Sequence, residues 1–584
     1  MIRQENDIYF GGLTRIVLVL LIGVLCLLFF LFILPYDLLY QEQMQLFLLS
    51  SDYFLSYFSK PGWLACYIGD FITQFYYFKG LGAFIITGVL GIEFLISLIL
   101  FARIGKRESI FYAVIPVLYE WFLHLDPNYR LSSSISLILA LLFFLLYTYF
   151  DKQRLSWIIS ILLMPVLYIF IGSHFITFGL LVILYDILNK RFSAILNWIV
   201  ILTCCVVIPL LFREYYLLTN LQAYLYPADK FIQLLPVLLF IGLFIGYKLS
   251  IPKRSFKYKN RESIILYICI LGLFTGLFVH LDRDREYLLG LDCESYFENW
   301  DKVAAKAEAY ESQNETVTYF ANLAWTKQNI LPDKLLSIYQ PFTNGMFVPV
   351  GPQSTPLQIL YSGEIYYQLG DMNMAQHATM LAMIFSPQNS SSRLIKRLAE
   401  INLIIGDTAV VDKYLRMLDK TLFYSDYASD MRKIMQEGDN NPWLAEKRAY
   451  IAQYDILRRV TDAEASLTML VNSNPTNKAA LDYLLCYHLL NKNIPAFFAA
   501  YNKWYKEKEY PLPRLYAEGL LIGLTQQKAS AKQLESYNIP NEITVDFMTY
   551  TKRYEEAAGE GSGLQEEYGK SYWFYYHYAQ MTDK

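Results

Sequence analysis

Histidine, cysteine and charge are all scarce in this 584-residue chain. It has six histidines and seven cysteines. The histidines stand singly, and His377 and His488 fall inside helical patterns as packing or surface residues. Cys26, Cys204, Cys205 and Cys269 lie in apolar runs, and Cys66, Cys293 and Cys486 have no motif spacing. Neither a disulfide framework nor a zinc site follows from them. There is no Walker loop, no Gly-rich dinucleotide fingerprint, no HExxH and no GxSxG, so the enzyme classes these mark are excluded. Charged residues make up 18%, against about 25% in a typical soluble domain. That excludes a wholly soluble enzyme, and the 55% hydrophobic content excludes a disordered chain. Yet 18% charge exceeds what a chain embedded throughout in lipid carries. The mean hydropathy of +0.27 therefore averages two unlike parts.

The parts separate near residue 281. Residues 1–281 hold 20 Lys and Arg and 15 Asp and Glu, whereas residues 282–584 hold 30 and 38. The first part reads as a multi-pass membrane domain and the second as a water-soluble domain. About 20 apolar residues cross the hydrocarbon. Nine runs qualify, at 13–34, 80–102, 109–125, 131–150, 155–172, 174–189, 192–212, 233–250 and 263–281, the third and sixth being short or polar-ended. The run from Leu18 to Leu34 has no small-residue cleavage site after it, so it reads as an uncleaved first span rather than a signal peptide. With the N-terminus in the cytoplasm, 15 basic residues fall in inside loops. Only Lys60, Lys79, Arg130, Arg213 and Lys230 fall outside, a positive-inside bias. Nine spans then place residues 282–584 outside the cytoplasm. In a bacterium this is an inner-membrane protein with a periplasmic C-terminal domain. The basic loops are explained by topology, so no nucleic-acid partner is implied.

Residues 282–584 read as helices with short punctuation. In Ile359–Pro387, small and aromatic residues fall at Gly363, Tyr366, Gly370, Ala375, Ala382 and Pro387. The turn Leu369-Gly370-Asp371 recurs 36 residues on as Ile405-Gly406-Asp407. Weaker copies run through Tyr454, Ala463 and Pro475, then Leu484, Tyr487 and Ala496. This register resembles the tetratricopeptide repeat, whose period is about 34. The expected fold is therefore all-α: a transmembrane bundle of about nine spans, then an α-solenoid. Solenoids bind peptides or proteins on their concave faces. The Tyr-rich tract Tyr572–Tyr578 reads as a cap or a membrane-facing aromatic patch.

Chemistry is sought in the outer loops. The first, 35–79, is far longer than the next three. Its segment Gln43–Phe58 has apolar residues at helical spacing, an expected interfacial helix. Pro61-Gly62 turns the chain, and Trp63–Phe78 follows as a second such helix carrying Asp70 and Gln74. The second loop, His124-Leu125-Asp126-Pro127-Asn128-Tyr129-Arg130, is dense in polar groups. In it Arg130 is a candidate for a lipid phosphate, and His124 or Asp126 for orienting that phosphate or binding metal; the alternative is a plain turn with a helix cap. His174 lies in the third outer turn. Arg213-Glu214 opens the fourth, with Arg213 another phosphate candidate. Glu93 and Glu120 lie within spans, where a carboxylate costs roughly 2.5–3.5 kcal/mol to insert, so each is expected to face a cavity or a partner. Glu120 and His124 share a helix face at i, i+4.

This architecture resembles the GT-C class of integral-membrane glycosyltransferases. Those enzymes have many spans and a long first outer loop with amphipathic helices and an acidic residue, and they use polyprenyl-phosphate sugar donors. Some carry a trailing tetratricopeptide domain, as in the eukaryotic membrane O-mannosyltransferases. The chain is also similar to an uncharacterised family of Bacteroidota membrane proteins. That likeness runs through Lys60-Pro61-Gly62-Trp63, Tyr67-Ile68-Gly69-Asp70-Phe71-Ile72-Thr73-Gln74-Phe75 and Gly80-Leu81-Gly82. The first resemblance implies a carboxylate that deprotonates the acceptor and cations or a metal that steady the departing phosphate. It makes Asp52 the first candidate base and Asp70 the second. Many members of the class have paired acids in this loop; here the acids are isolated, so a divalent metal cofactor stays open. Two functions are expected. One is an extracytoplasmic glycosyltransferase or oligosaccharyltransferase whose solenoid presents the acceptor protein. The other is a non-catalytic membrane scaffold of an envelope complex. A transporter fits less well with an odd span count.

Overall fold

The computed structural model describes residues 17–579 except 18, 106–109, 151–152, 192–193, 229, 251–267, 269, 311–312, 349, 387–388, 456–461, 509 and 558–559. Arg3, Arg15, Lys106, Arg107, Lys152, the basic run 253–261 and Pro387 lie outside the described residues. Among the described residues there are helices and turns and no strand. The chain forms two compact units. Unit 1 is Met1–Glu286 with Lys420–Ser425, and unit 2 is Tyr287–Asp419 with Asp426–Lys584.

Unit 1 begins with α1 (Val19–Phe32) and α2 (Pro35–Gln43), which meet at a bend of 66°. Then come α3 (Ser51–Ser56), α4 (Trp63–Thr73), α5 (Leu81–Gly105), α6 (Ile110–Leu123), α7 (Leu131–Thr148), α8 (Gln153–Ile171), α9 (Phe175–Leu188), α10 (Ile195–Tyr215), α11 (Asn220–Leu225), α12 (Leu235–Ser250) and α13 (Ile270–Val279). Among the described residues five helical runs are long and apolar enough to cross a membrane, or six if the bent pair is one span. This is fewer than the nine expected, for two reasons. The runs expected at 155–172 and 174–189 join into one stretch, Leu155–Leu188, and α6 and α13 are short. Among the spans α7 is central, with 67% of its apolar window buried, against 28% for α10. Leu196, Leu211 and Phe32 stand exposed on their helices, as lipid-facing side chains do. The N-terminal turns of α7 instead bury Ser132, Ser133, Ser134 and Ser136. The bundle core is therefore polar at the end that carries loop 35–79.

That loop departs from expectation at one helix. Gln43–Phe58 does not form a single helix. The chain leaves α2 at Gln43, runs without helix through 45–49, and restarts at Ser50, whose hydroxyl accepts from Tyr53 N and caps α3. A serine competes for backbone donors and favours such a cap over a helix interior. The expected helix 63–78 is present as α4 followed by a 3-10 turn, Gln74–Tyr77.

Unit 2 is a succession of helical hairpins: α14 (Arg283–Tyr296, beginning in unit 1), α15 (Trp300–Glu308), α16 (Glu315–Lys327), α17 (Leu331–Lys334), α18 (Pro356–Leu369), α19 (Met372–Phe385), α20 (Ser392–Ile405), α21 (Thr408–Leu418), α22 (Ser425–Glu437), α23 (Pro442–Ala449), α24 (Ala463–Ser473), α25 (Lys478–Leu490), α26 (Ile494–Ala500), α27 (Arg514–Gln526), α28 (Ala531–Glu535), α29 (Asn541–Glu556), α30 (Gln565–Tyr568) and α31 (Tyr572–Tyr578). The two Gly-Asp turns have one geometry. Gly370 and Gly406 end their helices at φ 98° and 90°, a left-handed conformation that glycine adopts without a Cβ penalty. Asp371 and Asp407 then cap α19 and α21 through Met374 N and Val410 N. Asp462 and Asn493 repeat that cap at α24 and α26. At Gly363 a Cβ would stand 3.2 Å from Ala378 Cβ, so the glycine lets α18 and α19 pack closely. The tract Tyr572–Tyr578 closes the array. Tyr572 and Trp573 are buried, and the Tyr572 and Tyr575 hydroxyls donate to the carbonyls of Leu489 and Leu490 at the end of α25.

Candidate functional site

The site begins with a close approach of two helices. At Gly69 a Cβ would stand 2.6 Å from both Cα and N of Ser132, so only glycine lets α4 lie on the first turn of α7. Asp70 follows Gly69 on α4, and Arg130 immediately precedes α7 as its N-cap residue. Both charges act on the same two groups, the Cys66 thiol and the Tyr226 hydroxyl. Lys60, exposed, has its Nζ 5.7 Å from the centre of the Tyr226 ring.

A chain of hydroxyls orients Asp70. Tyr57 donates to Asp70 Oδ2 at 2.7 Å, and the Tyr53 and Tyr57 hydroxyls lie 3.0 Å apart. Tyr57 has one proton to give. The Tyr53 proton therefore goes to Tyr57 or to the Leu46 carbonyl, 3.1 Å away. Gln45 Nε2 donates to the Asp70 carbonyl at 2.9 Å, which ties segment 45–49 to α4. Burial, the Asp70 charge and Tyr53 raise the Tyr57 hydroxyl far above its ordinary range, so it stays a donor.

Burial also pushes the Cys66 thiol up to about 12, with the Asp70 charge adding to the shift. Arg130, a hydrogen bond with Tyr226 and Lys60 pull the other way. A nucleophilic cysteine needs a lowered pKa, so Cys66 is a packing residue beside the site. Around these groups stand rings in edge-to-face or tilted contact. Phe47 meets Tyr53 and Tyr67 at 5.2 Å, Phe54 meets Tyr67 at 5.0 Å, and Phe58 meets Trp63 at 4.5 Å. The result is a half-buried Asp70 carboxylate held by Tyr57, with Asp70, Arg130 and Lys60 all acting on the Cys66 thiol, beside a floor of aromatic rings.

The other sequence candidates are placed elsewhere. Asp52 is exposed in the first turn of α3 and has no side-chain partner among the described residues. An acid there is explained by the helix dipole, and Asp52, the first candidate base, stands in solvent while Asp70, the second, is half-buried. Asp126 closes its own turn, accepting from Asn128 N at 3.0 Å and pairing with Lys230. Burial raises its carboxyl, but Lys230 and the Asn128 donors outweigh that and hold it below the usual range. His124 is buried, with Nε2 3.0 Å from Ser134 Oγ. His174 is buried too, with Nδ1 2.9 Å from Thr177 Oγ1. Arg213 is held by Asn220 Oδ1 at 2.6 Å and Glu214 at 3.2 Å.

A second ionic group occupies unit 1. Glu286 receives the N–H of Tyr36 at 2.7 Å and of Asp37 at 3.0 Å, so its carboxylate caps α2. Asp37 is buried, and Arg285 Nη2 lies 3.9 Å from its Oδ1. Burial and the Asp37 charge raise Glu286 to about 8, against the pull of two backbone donors and Arg285.

Sequence reasoning singled out Asp70 and Arg130 and did not single out Tyr57, Tyr226 or Glu286, which the structure places in these two groups. The one local signal was Gly69, a small residue beside an acid on an apolar helix. A divalent metal does not fit this donor set of one carboxylate and two cations. Among the described residues no three His, Cys, Asp or Glu side chains group to hold one.

No curated protein and no solved structure matches the chain. Residues 12–579, nearly its whole length, match the model of a family described as being of unknown function, DUF6057, and the chain belongs to that family.

Proposed function

We propose that the protein is a membrane glycosyltransferase of the GT-C type, transferring a sugar from a polyprenyl-phosphate donor to an acceptor protein. The observation that carries this reading is the convergence of Asp70 with Arg130 and Lys60 beside an aromatic floor. In the reaction the acceptor hydroxyl attacks the anomeric carbon and the bond from that carbon to the phosphate oxygen breaks. The acceptor proton passes to Asp70, as to a positioned general base. The lipid phosphate leaves with its charge held by Arg130 and Lys60. Tyr57 holds Asp70 in orientation, and the rings stack on the sugar. Arg213, already held by Asn220 and Glu214, contributes less. On this reading α8 and α9, the halves of Leu155–Leu188, cross separately on either side of the Gly172 turn and the short α6 and α13 cross too, so the bundle crosses the bacterial inner membrane nine times with its N-terminus in the cytoplasm. The site then opens to the periplasm, and unit 2 is a tetratricopeptide-type solenoid that presents the acceptor.

The test supplies membrane vesicles with a panel of radiolabelled polyprenyl-phosphate sugars and counts label leaving the lipid phase. The wild type consumes one donor. Asp70→Asn and Arg130→Ala each lower the rate by about 10²–10⁴-fold, while Asp52→Asn does not. Equal turnover by Asp70→Asn, or no donor consumed by the wild type, overturns the reading.

A second reading, a membrane-anchored scaffold, is favoured by one feature of unit 2. A pocket of about 110 Å³ there is lined by Phe347, Tyr366, Met374, His377 and Tyr487 among others, enough for one side chain of a bound protein. A scaffold tolerates Asp70→Asn and loses its partner on Tyr487→Ala, read by co-purification.

A further inference from the structure

Glu93 on α5 and Glu120 on α6 are each 1% exposed. Neither makes an ion pair with any described residue. Glu120 Oε1 accepts from the Tyr129 hydroxyl at 2.6 Å and from Ser134 Oγ at 2.6 Å. Its other oxygen, Oε2, has no partner, nor has Glu93 Oε1. Leu90 and Phe94, on either side of Glu93, pack in one cluster with Val117 and Trp121, on either side of Glu120, and the charge of Glu120 bears on Glu93, so the two carboxyls are neighbours. The titratable groups facing them are Tyr129 and Tyr119, which both feel Glu120, and His124 through Ser134.

Proton counting decides the network. Ser134 has one proton and gives it to Glu120. His124 Nε2 must therefore donate to Ser134 Oγ, since a hydroxyl can donate only once. The His124 proton lies on Nε2, which leaves Nδ1 as an acceptor, buried and unpartnered. On the other side Glu120 receives two donors, which favours its ionised form. Glu93 receives none. Two adjacent carboxylates with no cation do not both ionise in an apolar interior.

We propose that Glu93 and Glu120 are a proton-binding site within the bundle, holding one exchangeable proton. It is exchanged along His124, Ser134 and Glu120. A proton arriving at His124 Nδ1 releases the Nε2 proton to Ser134 Oγ, whose own proton passes to Glu120. His124 and Ser134 each gain one proton and lose one, the His124 proton ends on Nδ1 and Glu120 gains the one that entered, so no oxidant or co-reactant is needed. Ionisable groups within spans mark proton relays in pumps and transporters. This site lies next to the Asp70 cluster in sequence, because Tyr129, which bonds Glu120, precedes Arg130. The inference does not rest on glycosyl transfer.

Infrared difference spectroscopy on the full chain in lipid bilayers tests it, comparing wild type with Glu93→Gln/Glu120→Gln. The wild type should show one protonated-carboxyl stretch that the double variant lacks. That band should shift when water is replaced by deuterium oxide, and His124→Phe should slow the shift at least tenfold. Near-ultraviolet circular dichroism checks that both variants are folded. If the variant folds and the spectra coincide in the carboxyl region, the pair holds no proton. A band that does not shift in deuterium oxide makes the proton a fixed structural one. A shift at the wild-type rate in His124→Phe removes the route. Each of these results overturns the proposal. An unfolded double variant is replaced by Glu93→Gln alone, which should remove or displace the band; an unchanged spectrum again overturns it.

Discussion

Glu286 shows how one residue here serves two ends. Its carboxylate takes the place of the missing N-cap side chain of α2, and burial with the neighbouring Asp37 raises it to about 8. The folded chain thus binds this proton more tightly than the unfolded chain, where a glutamate titrates near 4.5. Between those values the folded state holds the proton and the unfolded state does not, so stability falls as pH rises. The contribution is fully present below about 4.5 and lost by about 8. The melting temperature in detergent should therefore drop across that window, and Glu286→Gln should flatten the drop; parallel curves would refute it. At this scale the sequence was half legible. Arg130 stood out as an ionisable group in a short polar loop, and Asp70 as an acid in the long first loop of a glycosyltransferase-like architecture. Asp52 stood out for the same reason, and only exposure separates it from Asp70.

At the scale of elements, the turns of unit 2 offer a matched pair. Gly370 and Gly406 both adopt positive φ, so alanine at either is strained by about 1–2 kcal/mol. They differ in surroundings. A Cβ on Gly370 would meet the Tyr450 carbonyl oxygen at 2.3 Å, whereas one on Gly406 meets nothing within 4 Å. Overpacking adds about 1–3 kcal/mol. Gly370→Ala should lower the denaturation midpoint clearly more than Gly406→Ala; equal shifts would mean backbone strain alone is felt. The hairpins were readable because Gly-Asp turns and helical periodicity are local. The helix expected over Gln43–Phe58 was not, because its apolar spacing was real but served another purpose. Leu46 and Phe47 are buried from a segment outside any helix, and Leu49 N bonds the Lys420 carbonyl rather than a residue one turn back.

For the molecule as a whole, the first unit is not one stretch of chain. Residues 420–425 complete it. Phe423 packs against Phe75, Tyr77 and Phe78 at 5.0–5.4 Å, and the Tyr424 hydroxyl donates to Glu42 Oε1 at 2.6 Å. The orientation proposed for this unit makes a direct prediction. Lys60 and Lys190 are both exposed; Cys26, Cys66, Cys205, Cys293 and Cys486 are buried and Cys204 is half-buried, so labelling is read against the unsubstituted chain. In intact cells with a permeable outer membrane, a membrane-impermeant maleimide should label Lys60→Cys but reach Lys190→Cys only after lysis. The opposite pattern would reverse the topology.

The sequence by itself determined that the chain is helical, that apolar helices crowd its first half, and that Gly-Asp turns punctuate its second. Those properties reside in composition and in periods of a few residues, so a short window reveals them. Tertiary structure alone decided which ionisable groups meet. Asp70 and Arg130 come to act on the same Cys66 thiol and Tyr226 hydroxyl because Gly69 lets α4 touch Ser132. Glu93 reaches Glu120 because α5 lies on α6, and Glu286 reaches Asp37 across 249 residues. Such meetings depend on how helices cross, and no local pattern encodes a crossing.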